Sequence, residues 1–78
     1  MNAASLYVPQ PVAVRADAEG RLVAVRGVPV ESVREEWLVE DRWWTAEPIN
    51  RLYFEVALAN GRCEVIFRER GRWFAQRA

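Results

Sequence analysis

Two alternating runs joined by an Asn-Gly pair constrain the fold of this chain more than any other feature of its sequence. In residues 52–58 and again in residues 63–69, apolar side chains recur at nearly every second position. A period of two is expected of a β-strand that buries one face. Asn60 and Gly61 stand between the runs, and this pair favours a type I′ turn, in which both central residues take a positive φ. The sequence therefore predicts an antiparallel hairpin here.

A second hairpin is predicted near the N-terminus. Residues 11–16 and 21–26 each alternate valine or leucine with small or charged residues. Asp17 and Gly20 lie between them, where the aspartate can accept hydrogen bonds from the nearby backbone and the glycine can take a positive φ. Residues 27–30 contain glycine and proline, which indicates a bend or a bulge in the chain.

Residues 32–42 are compatible with two structures. Their alternation fits a strand, whereas Val33 and Trp37 also fall at helical spacing and the neighbouring glutamates favour a helix. We predict a strand, with a helix as the alternative. A loop over residues 45–50 is expected to follow, because Pro48 cannot donate to a central ladder.

Together these segments predict a mainly β fold. With a last short strand at residues 72–76 after Gly71, we expect a five- or six-stranded antiparallel meander that forms a small barrel or a strongly bent sheet. A chain of 78 residues makes one domain, to which we assign residues 11–78. Residues 1–10 include Pro9 and show no period, which predicts a flexible N-terminal arm, with an edge segment as the alternative.

The residue types that catalysis needs are missing or badly placed. The chain has no histidine, the commonest general base and metal ligand. Its single cysteine, Cys63, shares a face with Val65 and Phe67 in the predicted strand, so we expect a small core residue rather than a nucleophile. Glu35 and Glu36 are adjacent, and a strand would point them to opposite faces. We expect no enzyme activity, no cofactor and no metal site.

The cysteine content and the N-terminus bear on the compartment. A single cysteine excludes an intrachain disulfide, which fits a reducing compartment. The first residues lack the charged and apolar regions of a signal peptide, and no stretch approaches the ~20 apolar residues of a membrane span. We therefore expect a soluble, cytoplasmic protein that does not enter a membrane.

Charge is balanced overall but uneven along the chain. Eleven arginines offset eleven acids, and there is no lysine, which argues against a protein that coats nucleic acid by bulk electrostatics. Residues 17–47 hold eight of the acids, and residues 48–78 hold six of the arginines. This predicts an acidic and a basic surface, or else pairing of arginine with glutamate across a solvated sheet face.

Two groups of residues are candidates for an interaction surface. Adjacent Trp43 and Trp44 cannot both enter one sheet face unless a bulge intervenes. One of them is therefore expected on the second face or at the rim, unless another segment covers it. Near the C-terminus arginines are interleaved with aromatic residues, and this second group is Arg68, Arg70, Arg72 and Trp73. Such interleaving suits contact with a single-stranded nucleic acid, and it equally suits a hairpin with a solvated arginine face.

Aromatic and arginine elements follow a recognisable order along residues 12–76. They are Glu31–Trp37, Arg42-Trp43-Trp44, Arg51–Phe54, Phe67-Arg68 and Gly71–Phe74. This order resembles a family of small stand-alone bacterial proteins of unknown function. It also resembles the extreme C-terminal segment of ImuB, the Y-family polymerase homologue of the inducible mutagenesis complex, in which a WW element precedes a YY or YF element and a W-[FY] ending.

The resemblance implies an accessory role in error-prone translesion DNA synthesis. Proteins of this kind are encoded near an error-prone polymerase subunit and ImuB, and ImuB itself serves as a non-catalytic hub. We therefore expect a protein-interaction module with a protein partner in a DNA-damage-tolerance complex. The alternatives are binding of single-stranded nucleic acid through aromatic and arginine side chains, and self-association through an open sheet edge.

Overall fold

The computed structural model describes residues 9–41 and 49–76. Most of them lie in seven strands, which are β1 (Gln10–Pro11), β2 (Val14–Ala16), β3 (Leu22–Val25), β4 (Val28–Asp41), β5 (Ile49–Leu58), β6 (Cys63–Glu69) and β7 (Arg72–Gln76). All pairs are antiparallel, in one sheet of order β1-β7-β6-β5-β4-β3-β2. The predicted mainly β fold is confirmed, and the ambiguous stretch that begins at residue 32 belongs to strand β4 rather than to a helix.

The predicted number of five or six strands is wrong, because the strand expected over residues 11–16 is interrupted. The start of this stretch pairs with β7, whereas its end pairs with β3. In between, the N–H of Val12 donates to the carbonyl of Trp73, and the carbonyl of Ala13 accepts from the N–H of Arg26. The stretch thus bridges the two ends of the sheet, which is curled into a half-barrel.

The hairpin predicted at Asn60 and Gly61 is present, but its turn is not type I′. The N–H of Leu58 donates to the carbonyl of Arg62, and the N–H of Gly61 donates to the carbonyl of Leu58. Gly61 has a φ of 86°, whereas Asn60 is not among the described residues with a positive φ. The loop therefore runs from Ala59 to Gly61, as in a type I turn followed by a glycine bulge.

Two other hairpins do have turns with a positive φ at both central residues. Arg26 and Gly27 have φ values of 51° and 80°, and Arg70 and Gly71 have values of 53° and 77°. These are the conformations of two-residue type I′ turns, and each joins neighbouring strands. The bend expected at residues 27–30 is therefore a tight hairpin turn between β3 and β4.

The turn predicted between β2 and β3 is confirmed, with the aspartate in its expected role. One carboxylate oxygen of Asp17 accepts the backbone N–H of Glu19 at 3.0 Å and that of Arg21 at 2.8 Å. Gly20 supplies a φ of 84°. The side chain thus replaces the ladder hydrogen bonds that the backbone gives up in the turn.

The main core lies on the concave side of the curled sheet. It consists of Val25, Val56, Leu58, Ile66 and Ala75. Side chains of β2 and β3 pack against this cluster from the opposite end of the sheet. Curling thus lets one sheet bury its own face, which suits a domain with few residues to spare.

Strand β4 is the longest strand and extends well beyond its pairing with β3. It has 14 residues, but β3 pairs only with Val28 and Pro29. Its other edge pairs with β5 from Val30 to Asp41. Strand β5 already begins at Ile49. The last two residues of the loop expected over residues 45–50 therefore belong to a strand.

Candidate interaction surface

The four C-terminal residues predicted as a candidate surface lie on the β6–β7 hairpin. Arg68 is directly opposite Trp73, and its guanidinium carbon is 6.0 Å from the indole ring centroid. Arg72 is adjacent to Trp73 and so points to the other face of the sheet. Arg70 forms the turn itself. The structure brings Arg68 and Trp73 together and separates Arg72 from them.

Trp73 contributes to the core and is not a free stacking platform. Its side chain is half-buried and packs against the main core. Its ring centroid is 5.6 Å from that of Phe54, with the two planes tilted by 43°. This is the geometry of a favourable aromatic pair inside a protein. Only part of the indole is therefore open to a ligand.

The other predicted pair, Trp43 and Trp44, lies outside the described residues. The strand ends on either side of it are described, and Asp41 pairs with Ile49 there. Because Leu52 on β5 pairs with Arg68 on β6, these strand ends lie at the same end of the sheet as the Arg70-Gly71 turn.

A row of aromatic rings crosses the convex side of the sheet. This aromatic row consists of Trp37, Tyr53, Phe67 and Phe74, one ring from each of four neighbouring strands, each directly opposite the next. Successive ring centroids are 5.3, 4.9 and 5.3 Å apart. Phe67 is 1% exposed, whereas Trp37 at the end of the row is 36% exposed. The row is a second apolar layer that sequence reasoning missed.

A polar cluster covers the centre of the aromatic row. Arg51 lies above the ring of Phe67, at 4.6 Å from its centroid, and its Nε is 3.2 Å from Oε1 of Glu69. Its Nη1 donates to the hydroxyl of Tyr53 at 3.3 Å. The hydrogen bond with Tyr53 and the attraction of Glu69 raise the pKa of Arg51, although partial burial opposes them. The charged guanidinium group of Arg51 thus covers one face of the Phe67 ring.

Arginine and glutamate pair at two places: between strands β5 and β6, which was one of the two expected alternatives, and between the β3–β4 turn and β6. Arg51 pairs with Glu69, and Nη1 of Arg26 is 2.6 Å from Oε1 of Glu64. By contrast, none of the three arginines of the β6–β7 hairpin forms an ion pair within the described part of the chain; they are Arg68, Arg70 and Arg72. This hairpin is therefore the basic region of the described surface.

The exposed part of β4 is a second feature that sequence reasoning missed. Val33, Trp37 and Leu38 are 43%, 36% and 55% exposed, and they are the large apolar side chains that the described residues leave most open to water. Exposed acids surround them; they are Glu31, Glu35, Glu36 and Glu40, with Arg34 as the one basic residue among them. We call residues 31–41 the β4 edge. The sequence does indicate this exposure. Acids and apolar residues occur at both odd and even positions of residues 31–41, so each face of the strand carries acids, as expected when both faces are in contact with solvent.

Cys63 is exposed, and the expectation of a core residue is wrong. It does share a face with Val65 and Phe67, but this is the convex side of the sheet and not the side of the main core. Its Sγ lies 3.8 Å from Nη1 of Arg34.

The carboxylates of the described residues are not grouped as a metal site would require. Glu35 and Glu36 point to opposite faces, as predicted, since they pair with successive residues of β5. No group of three or more histidine, cysteine, aspartate or glutamate residues is placed to hold a metal ion within residues 9–41 and 49–76. In the same ranges, no helix is long and apolar enough to cross a membrane.

Fold and surface together define a small antiparallel β module with an acidic edge strand and a basic hairpin. No family model, no curated protein and no solved structure matches the chain.

Proposed function

We propose that this chain is a non-catalytic accessory module that binds a protein partner. The observation that carries the proposal is the β4 edge, where Val33, Trp37 and Leu38 are exposed on a strand that no described strand pairs beyond Pro29 on that side. Such a surface is costly to leave in water at about 25 cal/mol per Å² of apolar area. Large apolar and aromatic side chains are enriched at protein interfaces.

The exposed apolar residues continue the two buried layers of the domain. Leu38 lies opposite Leu52 and Val33 opposite Val56, on the side of the main core. Trp37 stacks on Tyr53 at the end of the aromatic row, with the planes 7° apart. A partner at this edge could therefore extend both layers, in the way that an added strand extends a sheet.

The class of partner follows from the resemblance to the ImuB segment and not from the geometry. We propose a component of an error-prone DNA synthesis or DNA-damage-tolerance complex in the cytoplasm. The exposed acids of the edge are compatible with this role, because they discourage nonspecific binding to nucleic acid and leave specific protein contacts to the apolar residues.

The test is recovery of partners from damaged cells by the tagged protein. Wild-type protein, the variant Val33→Ser/Leu38→Ser and the control Ala16→Ser/Ala18→Ser, which changes exposed sites on β2 and its turn, are each purified from cells exposed to a DNA-damaging agent. We expect quantitative mass spectrometry to find a polymerase or repair component with the wild type and the control, and to find it depleted with the β4 variant. Recovery of no such component, or equal recovery by all three proteins, would contradict the proposal.

A second function, binding of single-stranded nucleic acid, is favoured by one observation. Arg68, Arg70 and Arg72 are exposed on one hairpin and form no ion pair among the described residues. In its favour, phosphate contacts need unpaired guanidiniums. Against it, Arg68 and Trp73 share one face while Arg72 lies on the other.

An oligonucleotide titration tests this second function. If the hairpin binds a single strand, Arg70→Ala/Arg72→Ala lowers the affinity and the slope of affinity against salt, by about 0.7 for each phosphate that an arginine no longer neutralises. The control Arg15→Ala/Arg62→Ala removes the same charge from exposed sites elsewhere. The absence of any binding at low salt, or equal loss in both variants, would rule out the hairpin as a specific site.

A further inference from the structure

The β4 edge offers a regular stretch of backbone that no described strand pairs on its outer side. Strand β4 contains two register shifts, between Val30 and Ser32 and between Val33 and Glu35. From Glu35 to Asp41 its pairing with β5 is continuous. This regular stretch is as long as an ordinary strand. No described strand occupies its other side.

The direction of the backbone groups follows from the hydrogen bonds of the next strand. Leu58 directs its N–H toward β6, and backbone groups alternate in direction along an antiparallel ladder. Tyr53 therefore directs its groups toward β4, where it pairs with Trp37. Consequently the backbone N–H and C=O of Trp37 form hydrogen bonds with β5, whereas the backbone N–H and C=O of Glu36 and Leu38 point away from β5. The outer edge thus presents donors and acceptors at alternate residues.

The side chains of the edge define what can bind there. The regular stretch carries exposed acids on both faces; they are Glu35 on the convex side and Glu36 and Glu40 on the concave side. Trp37 and Leu38 provide an apolar contact on each face. An added strand that alternates basic and apolar residues carries all its basic side chains on one face, so it would place them opposite Glu36 and Glu40 on the concave side. Its apolar side chains would then lie beside Trp37 on the convex side. A second copy of β4 would instead bring acids against acids, which disfavours self-association through this edge.

We propose that the β4 edge from Glu35 to Asp41 binds an extended basic segment of a partner protein as an added β-strand. This inference rests on the proposed interaction function and specifies its mode and the chemistry of the partner. Acids on an edge strand also hinder edge-to-edge aggregation. The two roles are compatible, since an acidic edge repels an acidic strand and attracts a basic one.

The direct test uses a short synthetic peptide of alternating valine and arginine that carries a fluorophore. Binding is measured by anisotropy at low salt, and amide hydrogen exchange of the protein is followed by NMR. We expect the peptide to bind and to slow exchange at Glu36, Leu38 and Glu40, whose N–H groups point outward. A peptide that is N-methylated at every residue has no backbone donor on either edge and cannot pair as a strand, so it should bind at least about tenfold more weakly.

A matched pair of variants separates backbone pairing from side-chain contact. Leu38→Pro removes an outward N–H without removing a hydrogen bond to β5, and proline is tolerated on an edge strand. We expect Leu38→Pro to weaken peptide binding about tenfold or more, and Leu38→Ala to weaken it about threefold or less. If Leu38→Pro does not fold, Glu36→Arg/Glu40→Arg takes its place, and it should weaken binding of the valine-arginine peptide and favour a valine-glutamate peptide.

Several results would overturn the inference. They are no binding of the basic peptide at low salt, equal binding of the N-methylated peptide, and protection located outside β4. Protection of the β4 amides without peptide, together with a dimer by light scattering, would assign the edge to a second copy instead. A cellular partner that binds Leu38→Pro and Leu38→Ala equally would refute strand addition while leaving the proposed interaction function intact.

Discussion

Truncation of Phe67 to alanine should destabilise the domain severely although the residue lies outside the main core. Phe67 is 1% exposed. Its ring touches those of Tyr53 and Phe74, at centroid distances of 4.9 and 5.3 Å, and Arg51 covers it. Removal of a buried phenylalanine ring costs about 3–5 kcal/mol, because the transfer free energy is lost and a cavity remains.

That loss is large for a domain of this size. Stability of roughly 0.05–0.15 kcal/mol per residue corresponds to about 4–12 kcal/mol for the whole chain, so the variant should lose between about a quarter and all of it. Since each kcal/mol shifts the Tm of such a domain by about 4–8 °C, the Tm should fall by more than about 12 °C. Phe67→Leu keeps most of the side-chain volume and should lose only about 1–1.5 kcal/mol.

Urea denaturation followed by far-UV circular dichroism measures both variants against the wild type. Ile66→Val, which trims the neighbouring residue on the concave side, is the control and should cost about 0.5–1.5 kcal/mol. A loss below about 1 kcal/mol for Phe67→Ala would mean that the convex side holds no packed layer, and the aromatic row would then be a surface feature.

Further predictions concern the turns and the cysteine. Arg70→Asn should stabilise the domain by a few tenths of a kcal/mol to about 1 kcal/mol, because asparagine tolerates the φ of 53° better than arginine. Gly71→Ala should instead destabilise it by about 1 kcal/mol, because alanine is strained at a φ of 77° although no atom crowds the site. Thermal melts of the two variants show whether the Tm rises or falls as expected. Asp17→Ala should cost about 1 kcal/mol in urea titrations, since two backbone N–H groups lose their acceptor, and an unchanged midpoint would refute this role. Cys63 should react with a thiol reagent such as dithionitrobenzoate in the native protein as fast as in urea, and protection in the native state would contradict its exposed position.

The strands could be predicted from the sequence because their alternation is local, but the register could not. A two-residue Asn60-Gly61 turn would place Phe54 opposite Phe67 and join the apolar residues of both runs on one face. The three-residue loop places Tyr53 opposite Phe67 instead. A slip of one residue moves every side chain of a strand to the other face. That slip puts Ile66 into the main core and Cys63 at the surface.

The candidate site was predictable only in part for a related reason. The arginines of the β6–β7 hairpin were visible as a cluster in the sequence, and the structure confirms that they lie on one hairpin. The aromatic row depends on the register of three strand pairs, and the open β4 edge depends on where β3 ends. Both are consequences of long-range pairing, for which a sequence pattern gives no direct signal.

The last prediction is that the basic β6–β7 hairpin hardly affects binding at the acidic β4 edge at physiological salt. The β4 edge and the β6–β7 hairpin are two to three strands apart in the sheet, or about 10–14 Å at 4.8 Å per strand. The Debye length is about 8 Å at physiological ionic strength and about 30 Å at 0.01 M. The hairpin arginines should therefore repel a basic segment at the edge only when salt is low.

The double variant Arg70→Ala/Arg72→Ala measures this coupling. At physiological salt we expect the double variant to change the affinity of the valine-arginine peptide by less than about twofold. At 0.01 M salt the affinity should rise by more than about twofold, because the variant removes a repulsion that little salt screens. A fall in affinity at either salt concentration would mean that the peptide contacts the hairpin itself, and it would place the binding site away from β4.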